Sequence, residues 1–313
     1  MWTGLISHPE CLGHAPPPGH PESVDRLRAV LRGLESDAFQ DLTRLEAPLA
    51  TQADLLRAHS AAHVEAVTGR FAQLAQEDRY VHLDVDTVMS AGSVEAALRG
   101  AGAVVAAVDE IRAGRLRNAF CAVRPPGHHA ERNRAMGFCL FNNIAIGAFH
   151  ARAAHGYRRV AVVDFDVHHG NGTQDMFFGD ADAFYASTHQ APFYPGTGYA
   201  GERGVAGNVV NVPLAAGTGS EGFRAAYKNE ILPALDRFAP DFVFISAGFD
   251  AHRDDPLAEL ELTESDFSWV TAAICEVARA RSGARVVSVL EGGYDLDALA
   301  RSAAAHVRSL MEA

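Results

Sequence analysis

Cysteine is scarce in this sequence. There are four in 313 residues (Cys11, Cys121, Cys139 and Cys275), and no two are spaced as CxxC. That argues against a disulfide framework and a thiolate zinc site, so any metal must be held by histidines and carboxylates. Positive charge is also in deficit. With 27 Lys plus Arg against 39 Asp plus Glu, the net charge is −12. This argues against direct nucleic-acid binding, which needs clustered cations, and suits a cationic substrate. No apolar run approaches membrane-spanning length, so no membrane partner is expected. The N-terminal Met1-Trp-Thr-Gly-Leu-Ile-Ser-His-Pro-Glu lacks the basic and apolar regions of a secretory signal, and a cytoplasmic location is the resulting expectation. No GK[ST] sequence occurs, which excludes a P-loop. Low-complexity linkers, internal repeats and charge runs are missing too. With 48% hydrophobic residues and a mean hydropathy of −0.03, residues 1–313 read as one large α/β domain.

What is present alternates strand and helix. Strands are predicted at Trp2–Ile6, Ala119–Val123, from Val160, and at Ala183–Ser187, Asn208–Leu214, Phe242–Ser246 and Arg285–Leu290. Helices are predicted from Pro21 to about Leu34, then Ser90–Arg112, Asn142–His155, Thr173–Phe178, Ser220–Arg237, Thr263–Arg281 and Leu296 to about Met311. Thr51 and Ser60 are plausible caps of short helices, and Thr263 with Asp266 resembles a capping box. The alternation implies a mostly parallel sheet with helices on both faces. The Pro-, Gly- and His-rich segment His8–His20 reads as an irregular loop, either a surface loop or one overhanging an active site.

The most informative stretch is Val160-Ala-Val-Val-Asp-Phe-Asp-Val-His-His-Gly170. It begins as a strand buried on both faces. Asp164, Asp166 and His168 then interrupt it on one side-chain parity. Two carboxylates and an imidazole on one face of a buried strand are costly unless compensated, and a metal ion is the simplest compensation. Polar clusters also follow other strands: His128-His129, Asp250 and Tyr294. Ligands bind outside the carboxyl ends of strands in open parallel sheets, so these clusters can converge. Asp166, His168 and Asp250 then form a three-ligand set with an open position, the pattern of a catalytic metal. The donors suit Zn, with Fe(II), Co or Mn also compatible. The His pair could supply acid and base, and Tyr294 a hydrogen bond to an oxyanion. This describes a metal-assisted amide or ester hydrolase.

A competing motif is Gly217-Thr-Gly-Ser-Glu-Gly222, which matches G-x-G-x-x-G between a strand and a helix. The acid expected at the end of the next strand, about 20 residues on, is missing, so the stretch reads as a helix-entry loop rather than a dinucleotide site.

The combination resembles the histone deacetylase superfamily, specifically its class II branch and the bacterial deacetylase-like amidohydrolases. The resemblance lies in Arg124-Pro-Pro-Gly-His-His-Ala130, Gly137-Phe-Cys-Leu-Phe-Asn-Asn143, Asp164-Phe-Asp-Val-His-His-Gly-Asn-Gly172, Pro195-Gly-Thr-Gly198, Gly248-Phe-Asp-Ala-His-Arg-Asp-Asp-Pro-Leu257 and Leu290-Glu-Gly-Gly-Tyr294. It implies the arginase/deacetylase α/β fold, with a central mostly parallel sheet of about eight strands. It implies one Zn2+ on Asp166, His168 and Asp250, with His129 as general base and acid and His128 as its electrostatic partner. Asp164 would orient His128, and Tyr294 would stabilise the oxyanion. Gly137, Phe138 and Tyr194 would line a narrow tunnel for an acyl-lysine-like chain. A structural K+ would use backbone atoms of Asp164, Asp166 and His168 with Ser187. Asn171 stands where some members carry an acid. His252 and Asn171 remove ligands that an arginase-like second metal would need. Tyr294 stands where a poorly active vertebrate subgroup has His. Leu257 stands where the polyamine-specific branch places a Glu gatekeeper, and no long insertion is seen between Phe71 and Ser90. Asp86 is either a rim acid that binds substrate amide or amine groups or a surface acid before a helix. The expected partner is an acetylated amine: an acetyl-lysine peptide or protein, with an acetylpolyamine or other small amide as the alternative. The resemblance also leaves room for an inactive acyl-amine binding protein, against which the His pair and Tyr294 argue.

Overall fold

The computed structural model describes residues 2–70 and 80–313. Eight strands form one sheet in the order β2-β1-β5-β10-β9-β6-β7-β8, and every neighbouring pair is parallel. In chain order these are β1 (Trp2–Ser7), β2 (Thr43–Glu46), β5 (Leu116–Cys121), β6 (Val160–Asp164), β7 (Ala183–Gln190), β8 (Val209–Leu214), β9 (Phe242–Ala247) and β10 (Val286–Leu290). A two-stranded antiparallel ladder, β3 (Val81–His82) with β4 (Val88–Met89), lies apart from it. The central strands are apolar on both sides because helices cover both faces. All of Val160–Asp164 and Val286–Leu290 is buried.

The helices are α1 (Val24–Gly33), α2 (Gln52–Ala58), α3 (Ala61–Thr68), α4 (Ser93–Arg112), α5 (Asn143–His155), α6 (Asn171–Phe177), α7 (Ser220–Ala226), α8 (Leu232–Phe238), α9 (Glu264–Ser282) and α10 (Leu296–Glu312). Their starts obey local chemistry. Thr51 and Asp54 form a capping box for α2, and Ser60 caps α3. Thr263 N donates to Asp266 Oδ2 at 3.1 Å in a second capping box. Gly156 and Gly283, both left-handed, end α5 and α9.

Four expectations need correction. The strand from Val160 stops at Asp164, and the chain bends through residues 166–168. Asp166 and His168 therefore meet through a turn rather than strand parity. The helix predicted over Ser220–Arg237 is broken by a π-helical turn, Tyr227–Ile231, just before Pro233, which has no N–H to continue an α ladder. The eighth strand, Thr43–Glu46, lacks an apolar run because it is a half-exposed edge. Within His8–His20, Pro9–Gly13 forms a 3-10 turn. The predicted absence of an insertion between Phe71 and Ser90 falls partly on residues 71–79, outside the described residues. No described helix is long and apolar enough to cross a membrane.

Candidate active site

Four adjacent strands, β5, β10, β9 and β6, deliver the predicted clusters to one edge. The loop after β5 carries His128 and His129, the bend after β6 carries Asp166 and His168, and Asp250 and Tyr294 follow β9 and β10.

Asp164, Asp166 and Asp250 are fully buried. His168 Nδ1 lies 3.0 Å from Asp166 Oδ1 and 3.1 Å from Asp250 Oδ2. One proton on that nitrogen cannot serve two carboxylates, whereas one cation among the three atoms can. The second carboxylate oxygens are occupied by backbone: Gly292 N donates to Asp166 Oδ2 at 2.8 Å, and Val167 N to Asp250 Oδ1 at 2.9 Å. A Cβ on Gly292 would collide with both carboxylates, so the cradle needs glycine there. The donor set and geometry fit a divalent metal with three protein ligands. Burial opposes charge on His168, yet Asp166 and Asp250 push it up to about 10, and a bound cation would take that proton's place.

The adjacent histidines are treated in opposite ways. His128 Nδ1 donates to Asp164 Oδ2 at 3.0 Å, and Tyr185 Oη donates to the same oxygen at 3.1 Å. Against its burial, Asp166, Asp164 and Glu291 push His128 up to about 10. His129 Nδ1 donates to Asn171 Oδ1 at 2.8 Å, which leaves a lone pair on Nε2. Burial, then the charges of His128 and His168, hold His129 well below the usual imidazole value. The two adjacent rings are thus pushed in opposite directions, His128 towards its charged form and His129 towards its neutral one.

A cavity of about 250 Å³ opens onto this edge. Its wall includes Asp86, Gly137, Phe138, Tyr194, Leu257 and Tyr294, together with His128, His129 and His168. Phe138 takes φ 67° and Gly137 φ 56°, and a Cβ on Gly137 would strike the His129 ring. This turn is pinned from behind. Asp86 Oδ1 accepts from Gly137 N at 3.2 Å, and Thr87 Oγ1 from Phe138 N at 3.1 Å. Asp86 therefore braces the wall it belongs to. Tyr194 packs edge-on to His129 at 5.2 Å. Burial keeps the Tyr294 hydroxyl protonated by raising its pKa well above the usual value. Ser187 pairs with Asp164 in the β6–β7 register, and its Oγ lies 2.9 Å from His189 Nδ1.

Further residues support this arrangement from behind. Glu291 Oε2 accepts from Gly127 N at 2.7 Å and His128 N at 3.1 Å, and burial pushes its carboxyl up to about 7. Asp255 Oδ2 accepts from Tyr294 N at 2.7 Å. Arg26 lies over the Tyr294 ring, 4.8 Å from its centroid, and donates to Gly293 O at 2.6 Å. Glu22 joins Arg26 at 2.9 Å to Arg124 at 2.5 Å, all three fully buried. Phe193, beside Tyr194, stacks on His168 at 5.2 Å. His20 packs on Phe138 at 4.8 Å, so that end of the His8–His20 segment overhangs the site. His252 faces Asp254 and Glu264 instead, at 3.6 and 3.5 Å. The loop Gly217–Gly222 hydrogen-bonds across to the 259–261 segment: Gly217 N donates to Glu259 O at 2.7 Å and Glu261 N to Thr218 O at 3.0 Å. This is the expected helix-entry loop.

A parallel eight-stranded sheet with its polar clusters at the carboxyl edge of the central strands defines the arginase/deacetylase α/β fold. The crystal structure of the HDA15 HD domain has the same fold, with a TM-score of 0.93 and 37% identity over 99% of this chain and 88% of that one. The family described as "Histone deacetylase domain" matches residues 20–310, and the chain belongs to this family of hydrolases. It is 43% identical over 298 residues to a "Probable deacetylase" of Methanothermobacter thermautotrophicus, covering 93% of this chain and 86% of that protein. It is 40% identical over 296 residues to the "Histone deacetylase-like amidohydrolase" of Pseudomonas aeruginosa, covering 93% of this chain and 75% of that protein. It spans only 21% of the much longer "Type-2 histone deacetylase 2" of Dictyostelium discoideum.

Proposed function

We propose that this chain, as a single catalytic domain, is a zinc-dependent deacetylase that hydrolyses the N-acetyl amide of an acetyl-lysine-like substrate. The observation that carries this reading is the convergence of Asp166, His168 and Asp250 beside a His pair and a tyrosine on one cavity. Asp166, His168 and Asp250 would hold the zinc. When bound, it would polarise the acyl carbonyl and make water a stronger nucleophile at neutral pH. His129 Nε2, neutral and free of the Asn171 hydrogen bond, takes the proton of the attacking water. The same nitrogen later gives that proton to the departing amine, so the C–N bond breaks as acetate and a free amine form. His128, held cationic by Asp164 and its neighbours, keeps His129 neutral and balances the negative charge that builds up. The Tyr294 hydroxyl donates to the oxyanion.

Gly137, Phe138 and Tyr194 would flank the acyl-bearing chain, with Leu257 as an apolar wall in place of a charged gate. The second oxygen of Asp86 would meet a substrate N–H at the rim. A K+ would sit on main-chain oxygens of Asp164, Asp166 and His168 with Ser187, offsetting the buried acids.

The test is turnover of an acetyl-lysine peptide, acetylputrescine and acetylspermidine, with zinc analysis of the same sample. The expected result is fastest turnover of the peptide, abolished by a chelator and restored by zinc. Preference for acetylputrescine would move the substrate to small amides. Turnover of none of the three by zinc-loaded protein would defeat the reading.

A further inference from the structure

The amino ends of the strands carry a second group of ligating side chains. Helix α5 runs back from the active-site edge, so its last turn lies near the start of β6. There His150 and His155 meet Asp109 from the last turn of α4. His150 Nε2 lies 2.7 Å and His155 Nε2 2.6 Å from the same oxygen, Asp109 Oδ1. The three ligating atoms fall within 4.8 Å of one another, as do those of Asp166, His168 and Asp250.

Hydrogen bonding alone leaves this cluster unsatisfied. For both rings to bond Asp109, each Nε2 must carry its proton. In a neutral His150, Nδ1 is then a bare lone pair. That atom is buried, the residue being 6% exposed, and has no hydrogen-bond partner among the described residues. It also faces a second carboxylate, Asp54 Oδ1, at 3.8 Å. Lone pair against anion is unfavourable. A doubly protonated ring would instead bury a cation with one N–H unbonded. A cation at the meeting point of the Nε2 atoms removes the conflict: the Nε2 lone pairs bind it, and the proton moves to Nδ1, towards Asp54. Metal-bound imidazoles ordinarily have such a carboxylate behind them. Asp54 is already fixed, accepting from Thr51 N at 2.8 Å and Thr51 Oγ1 at 2.6 Å and pairing with Arg57. Asp109 and His155 are partly open, their side chains 46% and 22% exposed, which leaves room for water to complete the coordination.

We propose that Asp109, His150 and His155 form a second divalent transition-metal site, zinc by donor type, with Asp54 orienting His150. The ion clamps α4 to α5, with α2 held behind through Asp54.

The full-length chain, stripped by chelator, is equilibrated with excess zinc and freed of unbound metal. Two zinc ions per chain are expected in the wild type and one in Asp109→Asn and in His155→Ala. Acetyl-lysine turnover and circular dichroism should be unchanged in both. Asp250→Asn keeps one zinc, the distal ion. Asp54→Asn weakens the distal ion by about 10–100-fold. Zinc content unaffected by both Asp109→Asn and His155→Ala overturns the proposal, as does a wild type holding one zinc that Asp250→Asn removes. A zinc lost in Asp109→Asn but untouched by Asp250→Asn supports it and defeats the active-site assignment instead.

Discussion

At the carboxyl ends of β5, β6, β9 and β10, Asp164, Asp166, Asp250 and Glu291 are fully buried. At the amino ends, Arg158 pairs with Asp182 and Arg281 with Asp236 on the surface, at 3.0 and 2.7 Å. Both edges are rich in acids, but the physics differs. Exposed pairs are screened and contribute about 0–1 kcal/mol each. Buried like charges oppose folding unless cations and backbone N–H groups offset them. That offset is present here, in the His128 and His168 rings and the N–H groups of Gly127, Val167 and Gly292. One edge therefore encloses its acids in a buried, hydrogen-bonded cluster, while the pairs Arg158–Asp182 and Arg281–Asp236 at the other are left to solvent.

Substitutions can break that contrast. His129→Ala should lower kcat by about 10²–10⁴-fold while thermal unfolding stays put. Near-normal turnover would reassign the base. Glu22→Gln removes the counter-charge of two buried arginines and should destabilise by about 3–5 kcal/mol, read by denaturant unfolding; an unchanged midpoint would mean the carboxyl edge tolerates unpaired charge. Tyr294→Phe should cost about 10²-fold in kcat with little change in KM or stability. A smaller effect is expected in pH dependence. In the proposed mechanism His129 acts unprotonated, and its pKa is held below the usual value of about 6.5. The acid limb of kcat/KM therefore lies below that pH, and activity is retained as pH rises from it. Asn171→Asp sets a carboxylate against Nδ1, favours the imidazolium and should move the acid limb up by about 1–3 units. A pH profile that did not shift would detach the limb from His129. Smallest of all, Arg281→Ala should change stability by less than about 0.5 kcal/mol and leave turnover alone.

Much of the site was legible because a buried apolar strand that ends in an acid or histidine is a local contradiction. Asp164 closes β6 itself, and Asp250, Tyr294 and His128 follow the ends of β9, β10 and β5 by three, four and seven residues. Asp166 and His168 share one parity of an alternation that the chain abandons at Asp164, and the structure brings them together through a turn that has no periodic signature. The pairing of Glu22, Arg26 and Arg124 was not legible, since Glu22 meets Arg124 across 102 residues and Arg26 reaches Gly293 across 267. No window of sequence contains both partners. The same holds for Asp109 with His150 and His155, from two helices. The edge strand Thr43–Glu46 was missed because half-exposed residues carry no apolar run.

The sheet order has a consequence for how the chain folds. β10, the last strand to be made, lies between β5 and β9. Until residues 286–290 leave the ribosome, β5 and β9 each present an unpaired edge, which favours adhesion to other chains. Closure therefore waits for residues 286–290 and joins segments far apart in sequence, a slow topology. It also brings in Tyr294 together with the clasp from Arg26, so the proposed oxyanion donor arrives with the last strand of the sheet. Nascent chains should be inert until then, and a truncation before Val286 should yield aggregate rather than a weakened enzyme.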